Sequence, residues 1–449
     1  MRLTIDIEDL AAGGEGVGRS GGRMIFVPFT APGDRALVEV PDEGQPGAGE
    51  PGAAAAHGAL VAIERPGPVR EQPPCRHFGP EGDLCGGCEW LHAAYLAQLS
   101  AKTRALRETL RRIARLAPDS YDLRPIAASP APLRYRSRAK FHLARAAGAD
   151  PASARLAFFR RRSHEPVLLA ECHLLVPGLD ALREALGPAL GRARLAPREV
   201  ALEWSELDGR GAALLVLGGA AAPLRERAEV LLAALPALAG LVLRGDVGPP
   251  AVVGDPVLRQ ARDPADPAAG VQHSRPDVFQ QANRGANARL VSAALDLLRP
   301  EGEDVLELFC GAGNFTAPLA ARARSVAAVE SLGPALELAR ADLTAASSVR
   351  FFAGDALALA RAFARERGPG ARRFGAALLD PPREGAKGIG PALRDLGVPR
   401  AVYVSCDPAT FARDLRACAE AGFRVVAVQP VDMFPQTHHV EAIGLVERA

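Results

Sequence analysis

The run Tyr403-Val404-Ser405-Cys406-Asp407-Pro408-Ala409-Thr410 puts a thiol where a strand gives way to a helix. Val402 to Val404 read as a buried strand, and a helix can begin at Ala409 with Asp407 or Thr410 as its cap. A sulfur at such a turn lies near helix-terminal N–H groups, which favour the nucleophilic thiolate. Alone, such a cysteine is more often a small core hydrophobe. What argues for chemistry is its company: Glu307, Glu330, Asp355 and Asp380 each lie in, end or follow a short apolar run that reads as a strand. In an open parallel sheet, ligands bind at the carboxyl ends of strands, so these four acids and Cys406 are expected along one crevice. Taken singly, each acid reads more simply as a helix cap.

The crevice has a donor-binding signature. Val305 to Phe315 reads as a strand, a glycine turn (Gly311-Ala312-Gly313) and a helix start, and Glu330 follows 19 residues after Gly311. An acid at that interval is where a Rossmann-like unit holds ribose hydroxyls. The two glycines do not complete Gly-x-Gly-x-x-Gly, which favours a nucleoside without a diphosphate, as in S-adenosylmethionine (SAM). Asp380-Pro381-Pro382-Arg383-Glu384-Gly385 adds a stiff loop, because proline fixes its own φ and extends the residue before it.

A second group is sulfur-rich: Cys75, Cys85-Gly86-Gly87-Cys88 and the distant Cys172. Three clustered cysteines and one remote one can build a four-thiolate site for zinc or for an iron–sulfur cluster. His77, His92 and His173 are alternative ligands, and spacing does not separate the two metals. No thioredoxin-like βαβ pattern surrounds the motif, which disfavours a redox dithiol. The Cys-x-x-x-Cys-x-x-Cys of radical enzymes is absent.

These groups need scaffolds. A chain of 449 residues holds two or three domains. The first 40 residues alternate short apolar runs with glycine turns, the pattern of a small β-barrel, and residues 44–58 read as a flexible Gly/Ala/Pro loop. Tyr95, Leu96, Leu99, Leu106, Leu110 and Ile113 mark an amphipathic helix within residues 93–118, with Lys102, Arg104, Arg107, Arg111, Arg112 and Arg115 on its polar face. Arg134 to Phe141 and Phe158 to Arg162 interleave arginines with rings, suited to phosphates and bases or, equally, to an exposed strand with an aromatic inner face. Residues 176–265 alternate strands and helices without evident chemistry.

Charge is uneven. Residues 1–66 hold five Arg against ten acids, whereas residues 102–162 hold sixteen Lys and Arg against four. A basic block of that size points to a polyanion such as RNA. The longest uncharged apolar run, Val230 to Leu243, contains Pro236 and is too short for a membrane span. Seven unevenly placed cysteines and no apolar leader fit a reducing cytoplasm.

Together the motifs resemble the SAM-dependent RNA uracil-C5 methyltransferases, specifically the branch with a TRAM domain and an iron–sulfur cluster. Phe26-Val27-Pro28 and Ala31-Pro32-Gly33-Asp34 carry the TRAM part. Cys75, Cys85-Gly86-Gly87-Cys88 and Cys172 carry the cluster part. Phe279-Gln280-Gln281-Ala282-Asn283, Leu308 to Phe315, Asp380 to Arg383, Ser405 to Asp414 and Phe434 to Glu441 carry the catalytic part. The resemblance runs from Ile5 to the C terminus and is thinnest over residues 176–265.

It implies an OB-like TRAM barrel over residues 1–66, a central α+β iron–sulfur and RNA-binding domain over 67–275, and a Rossmann-like α/β methyltransferase domain over 276–449, with helix 93–118 packed on the last. It implies SAM contacts at Gln281, Phe309, Asn314, Glu330, Asp355 and Asp380. Cys406 would be the nucleophile and Glu441 the general base, and Cys75, Cys85, Cys88 and Cys172 would hold a structural or RNA-positioning 4Fe–4S cluster. The RNA implied is 23S rRNA ahead of the tRNA T-loop.

The sequence departs from the family pattern in three places. Glu307 stands where the family carries Asp, and the type of residue at Asp355 is less fixed. Nine residues separate Cys75 from Cys85, more than usual, a lengthening that costs only about a few tenths of a kcal/mol in closure entropy. Two other readings were weighed. A cytosine-C5 enzyme would carry a second cysteine in a Pro-Cys motif, and the loop Asp380 to Arg383 has none. A non-enzymatic iron–sulfur RNA-binding protein would need neither Glu441 nor SAM.

Overall fold

The computed structural model describes residues 1–41, 55–82, 84–145, 148–366, 370 and 372–449. Most of the expected loop over 44–58 lies outside them, but its end, Ala55–His57, is a strand rather than a loop. The chain forms two compact units. One holds Met1–Ala105, Leu156–His173 and Phe434–His439; the other holds Leu106–Arg155, Leu174–Met433 and Val440–Ala449.

In the first unit, β1 (Arg2–Leu10), β2 (Gly16–Ser20), β3 (Arg23–Val27), β4 (Arg35–Glu39), β5 (Ala55–His57) and β6 (Ala59–Arg65) form one sheet in the order β5-β3-β2-β1-β4-β6. β1 is shared along its length: Arg2 to Asp6 pair with β4, and Ile7 to Leu10 pair with β2 across a bulge between Ile7 and Asp9. Such a bulge bends a sheet towards a barrel. The inward positions Ile5, Ile7, Ile25, Val27, Ala36 and Val38 form its core. α1 (Tyr95–Thr109) follows.

Asp34 ties the barrel to the chain beyond it. Its fully buried carboxylate accepts from the amides of Ala31 (2.6 Å) and Gly67 (2.8 Å) and from Arg70 Nη2 (2.7 Å). The acidity of this region is partly neutralised within the unit, where Asp9 pairs with Arg104, and Glu15 pairs with Arg161 and Arg162.

β7 (Asp122–Leu123) and β8 (Arg138–Ala144) belong to the second unit, and the hairpin β9 (Arg155–Phe159) and β10 (Pro166–Leu168) falls mainly in the first. The second unit continues with α2 (Pro177–Arg192), β11 (Glu199–Ser205), β12 (Arg210–Val216), α3 (Arg225–Ala233), β13 (Leu238–Arg244) and β14 (Ala251–Gly254). Its strands β8-β11-β12-β13-β14 lie side by side in that order. The hairpin β15 (Leu258–Ala261) and β16 (Val271–Ser274) leads to α4 (Arg284–Leu298), which Asn283 caps through Oδ1 and the Ala286 amide.

The remainder is doubly wound: β17 (Asp304–Leu308), α5 (Thr316–Arg322), β18 (Ser325–Glu330), α6 (Gly333–Asp342), β19 (Val349–Ala353), α7 (Ala356–Arg365), β20 (Ala376–Leu379), α8 (Ile389–Leu396), β21 (Arg400–Ser405), α9 (Pro408–Glu420), β22 (Phe423–Val431) and β23 (Glu441–Arg448). The strand order is β19-β18-β17-β20-β21-β23-β22-β7, with β23 antiparallel to both neighbours. Strand order reverses between β17 and β20, the switch point where such sheets bind ligands.

Alternation along the strands then assigns faces. Leu306 and Leu308, Ala327 and Val329, Ala377 and Leu379, Ala401 and Tyr403, and Ala442 and Val446 all enter one apolar cluster, which Leu106 and Leu110 also join. Glu307, Glu330, Asp380 and Glu441 are therefore on the opposite face, as is Cys406, one residue beyond β21. No helix among the described residues is long and apolar enough to cross a membrane.

Replacing Asp34 by Ala leaves the Arg70 charge without its carboxylate and two amides unpaired, with only the Phe29 carbonyl still accepting from Arg70. The expected loss, in denaturant melts followed by Trp90 fluorescence, is about 3–5 kcal/mol for the first unit.

Candidate active site

The register of β21 against β23 builds the centre of the site. The ladder ends with Ser405 opposite Ala442, so Cys406, one residue on, comes beside Glu441, whose carboxyl acts on the thiol. Facing residues of an antiparallel pair hold their Cβ atoms about 4.5–5.5 Å apart. β20 runs beside β21, with Leu379 next to Tyr403, and ends at Asp380.

Cys406 is half-buried. Burial, then the Glu441 and Asp380 carboxyls, push its thiol up to about 12, against the Arg383 guanidinium and its own amide. This corrects the expectation that the helix start favours thiolate. Asp407, not the sulfur, takes the free amides of α9, accepting from Ala409 N (3.0 Å) and Thr410 N (2.9 Å). Glu441 is almost fully buried, and burial, then Asp380, raise its carboxyl to about 8. Dehydration raises Asp380 to about 7. The site thus pairs a resting thiol with two carboxyls whose proton affinities lie near neutrality, the range in which a side chain can both take and return a proton.

The expected donor-binding residues surround the turn after β17. Phe309 (φ +63), Gly311 (φ +55) and Gly313 (φ +84) bend the chain there through the left-handed region. Glu330 Oε2 accepts from the Gly311 amide (2.9 Å), and its Oε1 accepts from Leu332 N (2.7 Å), which fixes the carboxylate at the mouth of the turn. Asn314 is locked to Asn287 by reciprocal amide bonds of 2.8 and 3.0 Å. Gln281 is buried beside Gln280, which donates to His273 O (2.7 Å). Asp355 is exposed and caps α7 through Ala358 N (2.7 Å), the simpler role open to it in the sequence.

Glu307 is buried at the same turn, and burial, then Asp380 and Glu330, hold its carboxyl up to about 8 against the nearby Thr316 hydroxyl. Thr316 is close enough to matter electrostatically but misses hydrogen-bond geometry. Among the described residues neither Glu307 oxygen has a partner. A dry, unpartnered acid at the donor crevice fits a cationic group arriving with the ligand.

One cluster was not visible in the sequence. Glu203, in the stretch without evident chemistry, is fully buried, 3.2 Å from Arg284 and 3.5 Å from Arg138. Arg138 Nη2 donates to Pro276 O (2.6 Å), and Arg284 Nη2 donates to Gln280 Oε1 (2.8 Å). Arg138, in the run equally suited to phosphates or to an exposed strand, therefore points inward and clamps the segment that carries Gln281. The only hint was an acid inside the apolar run Val200 to Trp204.

The cysteine group lies within the first unit. His77 Nε2 accepts from Ala170 N (3.0 Å), drawing the Cys75 turn to the segment before Cys172. Leu84 to Gly86 pair with Phe159 to Arg161, and a Cβ on Gly86 would stand 3.1 Å from the Phe159 carbonyl oxygen. Burial, then the thiols of Cys172 and Cys85, push Cys88 well up, and Cys75 acts on it more weakly. Burial also raises Cys75, while the amides of His77 and Phe78 act in the other sense. The four sulfurs thus share one electrostatic neighbourhood. Yet among the described residues no three Cys, His, Asp or Glu side chains converge as ligands of a single ion. Of the alternative ligands, His92 stacks on Phe78 and burial lowers it to about 4. Pro74-Cys75 is the Pro-Cys pair of this chain's Pro73-Pro74 run, and it belongs to this sulfur group rather than to the crevice of Cys406.

Comparison with known proteins agrees with this architecture. Residues 270–449 match the family described as tRNA (Uracil-5-)-methyltransferase, and residues 2–42 match the TRAM domain. The chain is 34% identical over 462 residues to the 23S rRNA (uracil(1939)-C(5))-methyltransferase RlmD of Pseudomonas putida, covering 99% of this chain and 93% of that protein. It is 33% identical over 455 residues to the enzyme of the same name from Thiobacillus denitrificans, covering 100% of each. The solved structure of Pyrococcus abyssi tRNA (uracil-54, C5)-methyltransferase in complex with S-adenosyl-L-homocysteine shares the fold, with a TM-score of 0.69 at 23% identity over 99% of this chain and 100% of that one.

Fold and switch-point crevice are those of a SAM-dependent methyltransferase. Within that class, the chain belongs to the RNA uracil-C5 methyltransferase family.

Because the Glu441 charge raises the thiol, Glu441→Gln should lower it. At pH 9, where Glu441 is ionised, iodoacetamide should alkylate Cys406 faster in that variant than in the wild type, read by peptide mass spectrometry. An unchanged rate would separate the two groups.

Proposed function

We propose that the chain methylates C5 of a uridine in large-subunit ribosomal RNA, with Cys406 as nucleophile and Glu441 as base. The observation that supports this reading is the end of the β21–β23 ladder, where the thiol one residue past Ser405 feels the buried Glu441 carboxyl.

Uracil C5 is too weak a nucleophile to take a methyl group unaided. The Cys406 thiol loses its proton to solvent water as its sulfur adds to C6, and the C5–C6 electron pair becomes an enolate with density on C5. Bound SAM supplies an electrophilic methyl group on a sulfonium. Once C5 carries that methyl, Glu441 takes the C5 proton, the double bond reforms and the C6–sulfur bond breaks, releasing Cys406 as thiolate. Asp380 hydrogen-bonds the uracil edge. Gln281, Phe309, Asn314, Glu330, Asp355 and Asp380 hold the donor, with Asp355 contributing least because it already serves a helix cap. The uridine must leave its stack to reach the crevice.

Cys75, Cys85, Cys88 and Cys172 are proposed to hold a 4Fe–4S cluster of structural or RNA-positioning role. The four thiols share one electrostatic neighbourhood, and the resemblance to the iron–sulfur branch favours a cluster over zinc. The division at residues 66 and 275 is proposed as the functional one, and a reducing cytoplasm agrees with seven unbonded cysteines. Ribosomal RNA is preferred to tRNA because the relatives that match over the whole chain are named for 23S rRNA.

Cys406→Ala is expected to abolish methyl transfer while SAM binding by calorimetry persists; turnover by that variant would remove the nucleophile assignment. Glu441→Gln should accumulate a gel-shifted protein–RNA adduct, whereas release of product at the wild-type rate would discard Glu441 as base. Tritiated methyl should enter unmodified 23S rRNA in preference to tRNA, and the opposite preference would reassign the substrate.

A further inference from the structure

We propose that Asp414 is a positioning residue for the reaction, holding the loop Pro381–Gly388 against α9 and so fixing Arg383 and Asp380 beside the Cys406 sulfur. The inference rests on the reading of Cys406 as nucleophile.

Asp414 is 1% exposed and lies on α9, eight residues after Cys406. Its Oδ2 accepts from Tyr403 Oη (2.6 Å), from the Ala386 amide (2.8 Å) and from Arg413 Nη2 (3.0 Å), and its Oδ1 accepts from Arg413 Nε (2.9 Å). One carboxylate thereby joins three elements: the strand that delivers Cys406, the loop that follows Asp380, and the helix that starts beside the sulfur.

The same helix grips the loop twice more, through Arg413 Nη2 to Glu384 O (2.8 Å) and Thr410 Oγ1 to Arg383 O (3.1 Å). Gly385 closes the gap with φ +74, and a Cβ there would stand 2.4 Å from Asp414 Oδ2. Each residue from Arg383 to Ala386 is thus fixed from α9 or packed against its anchor. The exposed Arg383 side chain remains free to face the site, with Nε 3.6 Å from Asp407 Oδ2.

A buried carboxylate is a costly way to glue a loop to a helix, since well-packed apolar groups serve stability as well or better. What it adds is a directional anchor that admits one loop position. Reaction geometry is sensitive on that scale, a misplacement of about 1 Å costing on the order of 10²-fold in rate.

The test uses the full chain and three variants, Asp414→Asn, Gly385→Ala and Tyr403→Phe, each read by single-turnover methyl transfer, rate of covalent-adduct formation, SAM titration and melting. Asp414→Asn should form adduct on the order of 10²-fold more slowly, with SAM stoichiometry held and SAM affinity changed far less than the rate, because Gln281, Asn314 and Glu330 stand on other elements. Gly385→Ala removes no donor to Asp414 but drives a methyl group against Oδ2 and Arg413 Nη2, and should give the same split. Tyr403→Phe, which removes one donor, should give a smaller drop of the same kind.

A wild-type adduct rate in Asp414→Asn, or activity falling only in step with SAM-binding capacity, would overturn the proposal. If Asp414→Asn does not fold, Gly385→Ala and Tyr403→Phe decide by the same two readings. Cys406→Ala run in parallel keeps the questions apart: turnover there refutes the nucleophile, whatever Asp414 does.

Discussion

Keeping several carboxyl groups dry on one face of a parallel sheet is the constraint on which the second unit is built. Glu307, Asp380 and Glu441 are raised to about 8, about 7 and about 8 mainly by loss of water, and the Asp380 charge adds to the shifts of Glu307 and Glu441. Such a site is unfavourable in the empty protein. Raised carboxyls are protonated in the folded chain but ionise in the unfolded one, so their contribution to stability is lost as pH rises from the ordinary carboxyl range to about 8. The surrounding apolar strands carry that cost. The return is a crevice in which an arriving cation or proton is strongly held, because little water competes for it.

The same dryness keeps Cys406 a thiol at rest. A permanently exposed thiolate would react with oxidants and electrophiles, whereas this one ionises only when its proton has somewhere to go. In the proposed reaction, substrate entry provides that path, and the register of two antiparallel strands supplies the opposed acid. Residues distant in sequence, Cys406 and Glu441, meet because a single strand, β23, is inserted antiparallel beside β21.

Much of this was legible in the sequence, for a physical reason. Parallel strands buried on both faces read as apolar runs, and the residue that ends each run faces the crevice, so Glu330, Asp380 and Cys406 could be placed from spacing alone. Glu441 could not, because its position depends on which strand pairs with β21, and only the family resemblance singled it out. The inward turn of Arg138 towards Glu203 and the anchoring of the Pro381–Gly388 loop by Asp414 were also invisible, since both arise from side chains meeting across elements far apart in the chain. The sign of the Cys406 shift is not legible in the sequence, which shows a helix start but not the burial and the Glu441 and Asp380 carboxyls that outweigh it.

The most direct measurement is to offer the enzyme and SAM an RNA carrying 5-fluorouridine in place of uridine. Fluorine at C5 cannot leave as a proton, so the reaction should stop at a methylated adduct. Digestion and mass spectrometry are expected to locate the nucleotide on the peptide containing Cys406, with one methyl group added. A bond to any other residue, or methyl transfer without an adduct, would contradict the account.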